Sequence, residues 1–243
     1  MRGAAGDEGR PGFAGSLTGL SSDWHIPMTL PDRHLDLGCG KFPRNPYARG
    51  SLSGIDIRPL AAKDEFDYRV ANLVLQPIPY EDDGFGSVSA FDFIEHVPRL
   101  LASADGADTV FPFIRLMNDV WRVLAPGGRF YALTPAYPHP EAFTDPTHVN
   151  IITDKTHLYF CGDNPMARMY GFNGKFKVLR AKWVQIADHY SAIAGSPENR
   201  KPPSLTWQAA HGFRSVSRWL RGKSASGRHA YFLWELEAIK SAQ

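Results

Sequence analysis

The sequence predicts an α/β fold: a doubly wound, mainly parallel sheet with helices on both faces and an antiparallel final strand pair. Three observations carry this. Between about residues 33 and 134, short apolar strands alternate with helical or loop segments, the rhythm of a sheet covered on both faces. The first strand breaks abruptly into the glycine turn "LDLGCG". Two long strand-like runs, "GKFKVLRAKWVQI" and "RHAYFLWELEAI", close the chain. Its 243 residues suit one domain with embellishments, and 43% hydrophobic residues can fill its core.

Taken in order, "RHLDL" is the first strand, "SLSGIDI" the second and "FDYRVANL" a less apolar third. "GSVSAFDF" is the fourth, and its lack of central charges agrees with burial on both faces. In "TVFPFIRLMNDVWRVL", Val110, Phe113, Ile114, Met117, Val120, Trp121 and Leu124 recur at the spacing of one helix face. "APGG" stops that helix, and "RFYALTP" follows as the fifth strand. The next stretch, "PAYPHPEAFTDPTHVN", has too many prolines for a regular element. We divide the chain into a lead-in over 1–24 and a domain over 25–243, with a basic helical insertion at 187–228 that can serve as a lid.

The glycine turn raises a chemical question. Asp36 sits at the carboxyl end of a core strand, just before Gly38, Cys39 and Gly40. Glycines there allow a ligand to approach the backbone. Asp56 ends the second strand twenty residues after Asp36, the spacing at which an acid accepts hydrogen bonds from a ribose diol. A dinucleotide site wants a third glycine, but Lys41, Phe42 and Pro43 follow Gly40. Asp36 repels phosphate and favours an ammonium group. S-adenosylmethionine, with an ammonium, a sulfonium and a ribose, meets these requirements; an NAD-dependent oxidoreductase is the disfavoured rival.

Four blocks in sequence, "LDLGCG", "GIDI", "ANLVLQPIPYEDDGFGSVSAFDFIEHV" and "VLAPGGRFYALTP", resemble the class I S-adenosylmethionine-dependent methyltransferases. "FTDPTHVNIITDKTHLYF" is similar to a bacterial subgroup associated with surface-glycan or natural-product pathways. The resemblance implies a Rossmann-like fold. It also implies that Asp36, Gly38, Cys39 and Gly40 hold the methionine end and that Asp56 holds the ribose. By the same token Ile57 lies beside the adenine, Asn72 and Leu73 meet its edge, and Phe91 lines the pocket. Asp92 stands where that subgroup often has histidine.

Methyl transfer to a hydroxyl needs a base near the acceptor. We select His148, because histidine as a residue type can exchange a proton near neutral pH, with Asp145 to fix its tautomer. Tyr137 and His139 share the loop and are expected to shape the acceptor pocket. Glu95 and His96 read as a helix-start pair satisfied by backbone. With no His-x-x-x-His pair and no facial triad visible, no metal site is expected. The reading is therefore an O-methyltransferase acting on a sugar, glycan or other small hydroxyl acceptor. A natural-product O- or N-methyltransferase and an inactive cofactor-binding scaffold remain open as alternatives.

A formal charge of +2 over the whole chain says little about partners. From Ser196 to Gly227, however, one acid, Glu198, stands against six lysines and arginines. That concentration suits an anionic acceptor or a peripheral membrane contact through a 205–222 helix; no nucleic-acid partner is expected. Cys39 and Cys161 form no disulfide framework, and no apolar run approaches a membrane span. A cytoplasmic protein is the expectation.

Overall fold

The computed structural model describes residues 29–60, 66–186 and 229–240. The 1–24 lead-in and the 187–228 insertion, including the 205–222 helix, lie outside the described residues. The first half of the sheet is β1 (Arg33–Leu37), β2 (Ser51–Asp56), β3 (Asp67–Val70) and β4 (Phe85–Phe91). A two-stranded ribbon, β5 (Leu101–Ala102) with β6 (Thr109–Val110), precedes helix α1 (Pro112–Val123). The long β7 (Leu124–Pro135), β8 (Phe176–Val184) and β9 (Tyr231–Ala238) complete the sheet.

The seven strands lie in the order β3-β2-β1-β4-β7-β9-β8. Pairings among β3, β2, β1, β4 and β7 are parallel. β9 runs antiparallel to both neighbours, so the final strand pair is antiparallel as predicted. The chain winds outward from β1 in one direction, then returns to β4 and winds the other way. Strand order therefore reverses between β1 and β4, where doubly wound sheets open a ligand crevice beyond the carboxyl ends of their strands.

Side-chain alternation fills both faces. On β7, Phe130 and Ala132 join the main core with Leu35, Ile55, Val88 and Trp234. Their neighbours Tyr131 and Leu133 turn to the opposite face, with Phe91, Val184 and Leu233. A period of two with both faces apolar is what a covered sheet requires. Helix α1 enters at Pro112 and buries Phe113, Leu116, Met117, Val120 and Val123. Proline at the first helical position loses no hydrogen bond that the helix would have made. The stop and the strand after it are merged: Leu124 already pairs with Phe85, and the register shifts before Ser87 meets Arg129. Among the described residues, no helix is long and apolar enough to cross a membrane.

Candidate active site

At the reversal point, Gly38, Asp56, Ile57, Asn72 and Leu73 line a crevice of about 390 Å³, with Asp92, Phe93 and His96 on its other wall. This volume lies within the range of about 300–1,000 Å³ for small-ligand sites. Gly38 has φ +66, and a Cβ there would come within 2.5 Å of the Phe93 ring; any other residue would meet both backbone strain and a clash. Ile57 is 60% exposed on the crevice wall, an apolar surface suited to a flat ring. A larger groove of about 510 Å³ is lined by Phe111, Phe113, Tyr159 and Tyr170. None of the predicted site residues lines it, so the reversal-point crevice is the functional candidate.

Asp56 is only 6% exposed and already holds several donors. Its Oδ2 accepts from Gly40 N at 2.9 Å, which ties the glycine turn to the end of β2. Its Oδ1 accepts from Arg58 N at 3.1 Å and Arg58 Nε at 2.9 Å. Burial would raise its pKa, but the bonds from Arg58 and Gly40 outweigh burial and hold the carboxyl below its ordinary value. The pair is exposed on the arginine side only, Arg58 at 68%, so its guanidinium returns to water when it leaves and the pair contributes on the order of 1 kcal/mol. A diol can therefore displace it at little cost. Arg58→Gln is accordingly expected to tighten nucleoside-ligand binding by up to about fivefold. Calorimetry showing weaker binding would instead make Arg58 a ligand contact.

Several predicted residues stand elsewhere. Asp36 is 1% exposed and lies behind the crevice wall. It accepts from Ser89 Oγ at 2.6 Å and Arg44 N at 2.8 Å, so it anchors the turn instead of presenting itself to an ammonium. Ser89 Oγ also lies 2.8 Å from His34 Nε2, and Ser87 Oγ lies 2.8 Å from His34 Nδ1. Burial lowers the His34 pKa to about 3 and raises that of Asp36 to about 7. A neutral His34 donates from Nε2 to Ser89, which donates to Asp36: a buried polar chain linking β1 and β4 with every member satisfied. The Cys39 side chain is buried against Gly54 and does not line the crevice, and burial raises its thiol pKa, which disfavours the thiolate.

Phe91 faces the opposite core, its ring tilted against that of Tyr131 with centroids 5.4 Å apart. It does not line the pocket. Asp92 takes φ +47, which breaks the strand alternation and puts Asp92 and Phe93 on the crevice wall. The Asn72 side chain accepts from Val74 N at 3.1 Å and so caps its own turn. Leu73 lines the crevice as predicted.

Beyond β4 the chain makes a short turn, Ile94–His96, against which the 136–152 loop is stitched by Asn150. Asn150 N donates to Glu95 O at 2.9 Å, and its Nδ2 donates to Ile94 O at 3.0 Å. Arg99 Nε donates to Asn150 Oδ1 at 2.7 Å. These bonds bring His148 to the crevice mouth beside His96, with ring centroids 4.7 Å apart. His148 Nδ1 donates to Ala142 O at 3.2 Å, leaving Nε2 as the lone-pair nitrogen, 4.0 Å from Glu95 Oε1. The partner expected to fix this tautomer was Asp145. Instead Asp145 Oδ1 accepts from Thr147 N at 2.8 Å and Thr147 Oγ1 at 2.7 Å, because the Asp-Pro-Thr turn closes on itself. Thr147 Oγ1 in turn lies 2.9 Å from His96 Nδ1, so Asp145 acts on His96 through a hydroxyl.

Glu95 is 2% exposed, and Thr134 Oγ1 donates to its Oε2 at 2.8 Å. Its Oε1 is buried with no hydrogen-bond partner. Burial raises its pKa to about 8 against opposing hydrogen bonds, and Asp92 and Asp145 add to the rise. Burial and the neighbouring His148 lower the pKa of His96. Of these groups His96 lines the crevice, and perturbed acids and bases clustered beside a crevice make it a candidate functional site. Tyr137 and Phe143, both exposed, stand edge to face with centroids 6.4 Å apart on the same loop. His139 Nδ1 accepts from Glu141 N and caps a short turn.

Fold and site together define a doubly wound α/β protein with a nucleoside-sized crevice at its strand reversal and an acid–base cluster at the mouth. No protein-family model matches the chain, and no curated protein is significantly similar to it. Among solved structures it is similar to a chain in the Haloferax volcanii complex containing the Trm112 methyltransferase activator, at 13% identity, 89% and 86% coverage and TM-score 0.48. It is also similar to the [4+2]-cyclase SpnF, at 16% identity, 88% and 77% coverage and TM-score 0.47. A third is an S-adenosylmethionine-dependent methyltransferase from Mesorhizobium loti, at 16% identity, 84% and 90% coverage and TM-score 0.45. The fold itself stands on the strand order and register above.

Proposed function

We propose that this protein is an S-adenosylmethionine-dependent methyltransferase that methylates a hydroxyl of a small acceptor, a sugar or glycan being the preferred class. The observation that carries the reading is a single juxtaposition: Gly38, Asp56 and Ile57 line the same crevice as His96, which touches His148. S-adenosylmethionine fits the residues present. Asp56 offers acceptor oxygens for the ribose diol, Ile57 and Leu73 offer an apolar wall for adenine, and Gly38 admits close backbone approach. When bound, the cofactor supplies a methyl group on a sulfonium, already attached to a good leaving group. The chain's own residues must then orient the acceptor and exclude water.

His148 supplies the remaining element. Its Nδ1–H is held by the Ala142 carbonyl, so Nε2 is available to take the hydroxyl proton as the oxygen attacks in line. Exposed Tyr137 and Phe143 on the same loop give an aromatic surface on which the apolar face of a sugar can rest. The direct test is calorimetry with S-adenosylmethionine, followed by a screen of hydroxyl and amine acceptors using methyl-labelled cofactor. Binding with transfer to a hydroxyl is expected. Transfer confined to amines would replace the oxygen assignment, and binding without any transfer would leave a cofactor-binding scaffold.

A further inference from the structure

Glu95, His96 and His148 offer three ligand atoms that all lie within 4.8 Å of one another. Two histidines and one carboxylate are the donor set of a facial triad, a three-cornered site that leaves coordination positions open for substrate. We infer that these three residues bind one divalent first-row transition-metal ion at the mouth of the crevice. For bonds of about 2.0–2.1 Å, tetrahedral donors lie roughly 3.3 Å apart. Side-chain shifts on the order of 1 Å bring the three atoms to that separation.

The hydrogen bonds around the triad are those that a metal site needs. A ligating imidazole commonly donates its other ring N–H to a carbonyl, hydroxyl or carboxylate, which fixes the tautomer and aims the lone pair. His148 Nδ1 does this to Ala142 O. The Thr147 hydroxyl gives its only proton to Asp145 Oδ1, so it accepts from His96 Nδ1–H. His148 therefore directs its Nε2 lone pair toward Glu95 Oε1, and the Thr147 bond leaves Nε2 as the lone-pair nitrogen of His96. The carboxylate is held in the same way: Oε2 takes the Thr134 hydroxyl, while Oε1, buried and without a hydrogen-bond partner, points at His148. A buried polar atom left unsatisfied is costly, and three lone-pair donors facing one another repel unless a cation or proton lies between them. The Asn150 bonds that clamp the Glu95 backbone to the His148 loop make the site rigid.

The ion deepens the methyltransferase reading, and its role in catalysis rests on that reading, although its binding does not. His96 lines the cofactor crevice, so the open positions face the place where the methyl group is transferred. There the cation takes the acceptor hydroxyl oxygen and lowers its pKa. The proton leaves to solvent, the oxygen forms its bond to the methyl carbon, and the sulfur keeps the electron pair of the broken bond. His148 then acts by holding the ion and does not take the proton itself.

Metal binding is measured on chelator-treated protein, without cofactor or acceptor, by titration with Co2+ and Zn2+. One Co2+ per chain with visible ligand-field bands is expected. His96→Gln and His148→Gln should weaken it at least about 100-fold, and Thr147→Val, which removes only the hydroxyl behind His96, about 10–100-fold. Circular dichroism identifies any variant that fails to fold. Wild-type imidazole nitrogen resonances supply a readout independent of substitution, since Zn2+ should shift Nε2 of two rings and leave their Nδ1–H protonated. No binding at 100 μM cation, roughly a millimolar or weaker site, overturns the inference. Binding that is equal in all variants, or that leaves both rings unshifted, overturns it as well. Calorimetry with S-adenosylmethionine on the same metal-free protein separates the two readings: cofactor binding without cation binding removes the ion alone, and the converse removes the methyltransferase.

Discussion

His148→Ala is expected to lower turnover by roughly 10²-fold or more, the scale for losing a group that acts directly on a proton in flight. Cofactor affinity should be nearly unchanged, because His148 stands at the mouth and does not line the crevice. The side chain is 10% exposed and makes one ring hydrogen bond, to Ala142 O, so removing it leaves the Asn150 clamp in place. Single-turnover measurements with saturating cofactor make the comparison. Equal rates in wild type and variant would mean that the acceptor needs little deprotonation, and a nitrogen nucleophile would become the better reading. The same loss follows whether His148 takes the proton or holds a cation. Chelator-treated wild type that falls to the rate of His148→Ala points to the cation.

Asp56→Ala should weaken S-adenosylmethionine binding by about 1.5–3 kcal/mol, or on the order of 10- to 100-fold. Two effects add. The ribose loses a charged acceptor, and Gly40 N loses the oxygen that fixes the glycine turn to β2. Asp56→Asn separates them, since an amide can still accept from Gly40; it should fall between wild type and alanine. Calorimetry in which wild type ignores S-adenosylmethionine and its demethylated product but binds NAD would overturn the cofactor assignment.

How much of this was legible in the sequence depends on how local each feature is. The turn at Gly38 and the acid at Asp56 could be read directly because each ends one strand, and strand ends are marked by neighbours in the chain. Asp36 was correctly placed at a strand end, but its partner was not. Its side chain faces Ser89 across the β1–β4 ladder, and no local pattern announces a cross-strand partner 53 residues away. The resemblance implies that Phe91 lines the crevice, but the left-handed Asp92 just beyond it breaks the alternation and puts Phe93 on the wall instead. The meeting of Glu95 and His96 with His148 depends on Asn150, a residue with no motif around it. A metal triad split between two loops leaves no spacing signature, which is why the sequence alone suggested none.

The position of β9 has a consequence for how the chain is made. Residues 231–238 slot between β7 and β8, pairing with both, and Trp234 lies fully buried there. While the ribosome has yet to release them, β7 and β8 have no partner between them, and each carries an open backbone edge that invites pairing with other chains. β8 and the free edge of β7 thus wait for β9, a high-contact-order closure that makes folding slow and nascent chains vulnerable. Expression yield should therefore respond more to chaperone supply and growth temperature than the packing of the finished core would suggest.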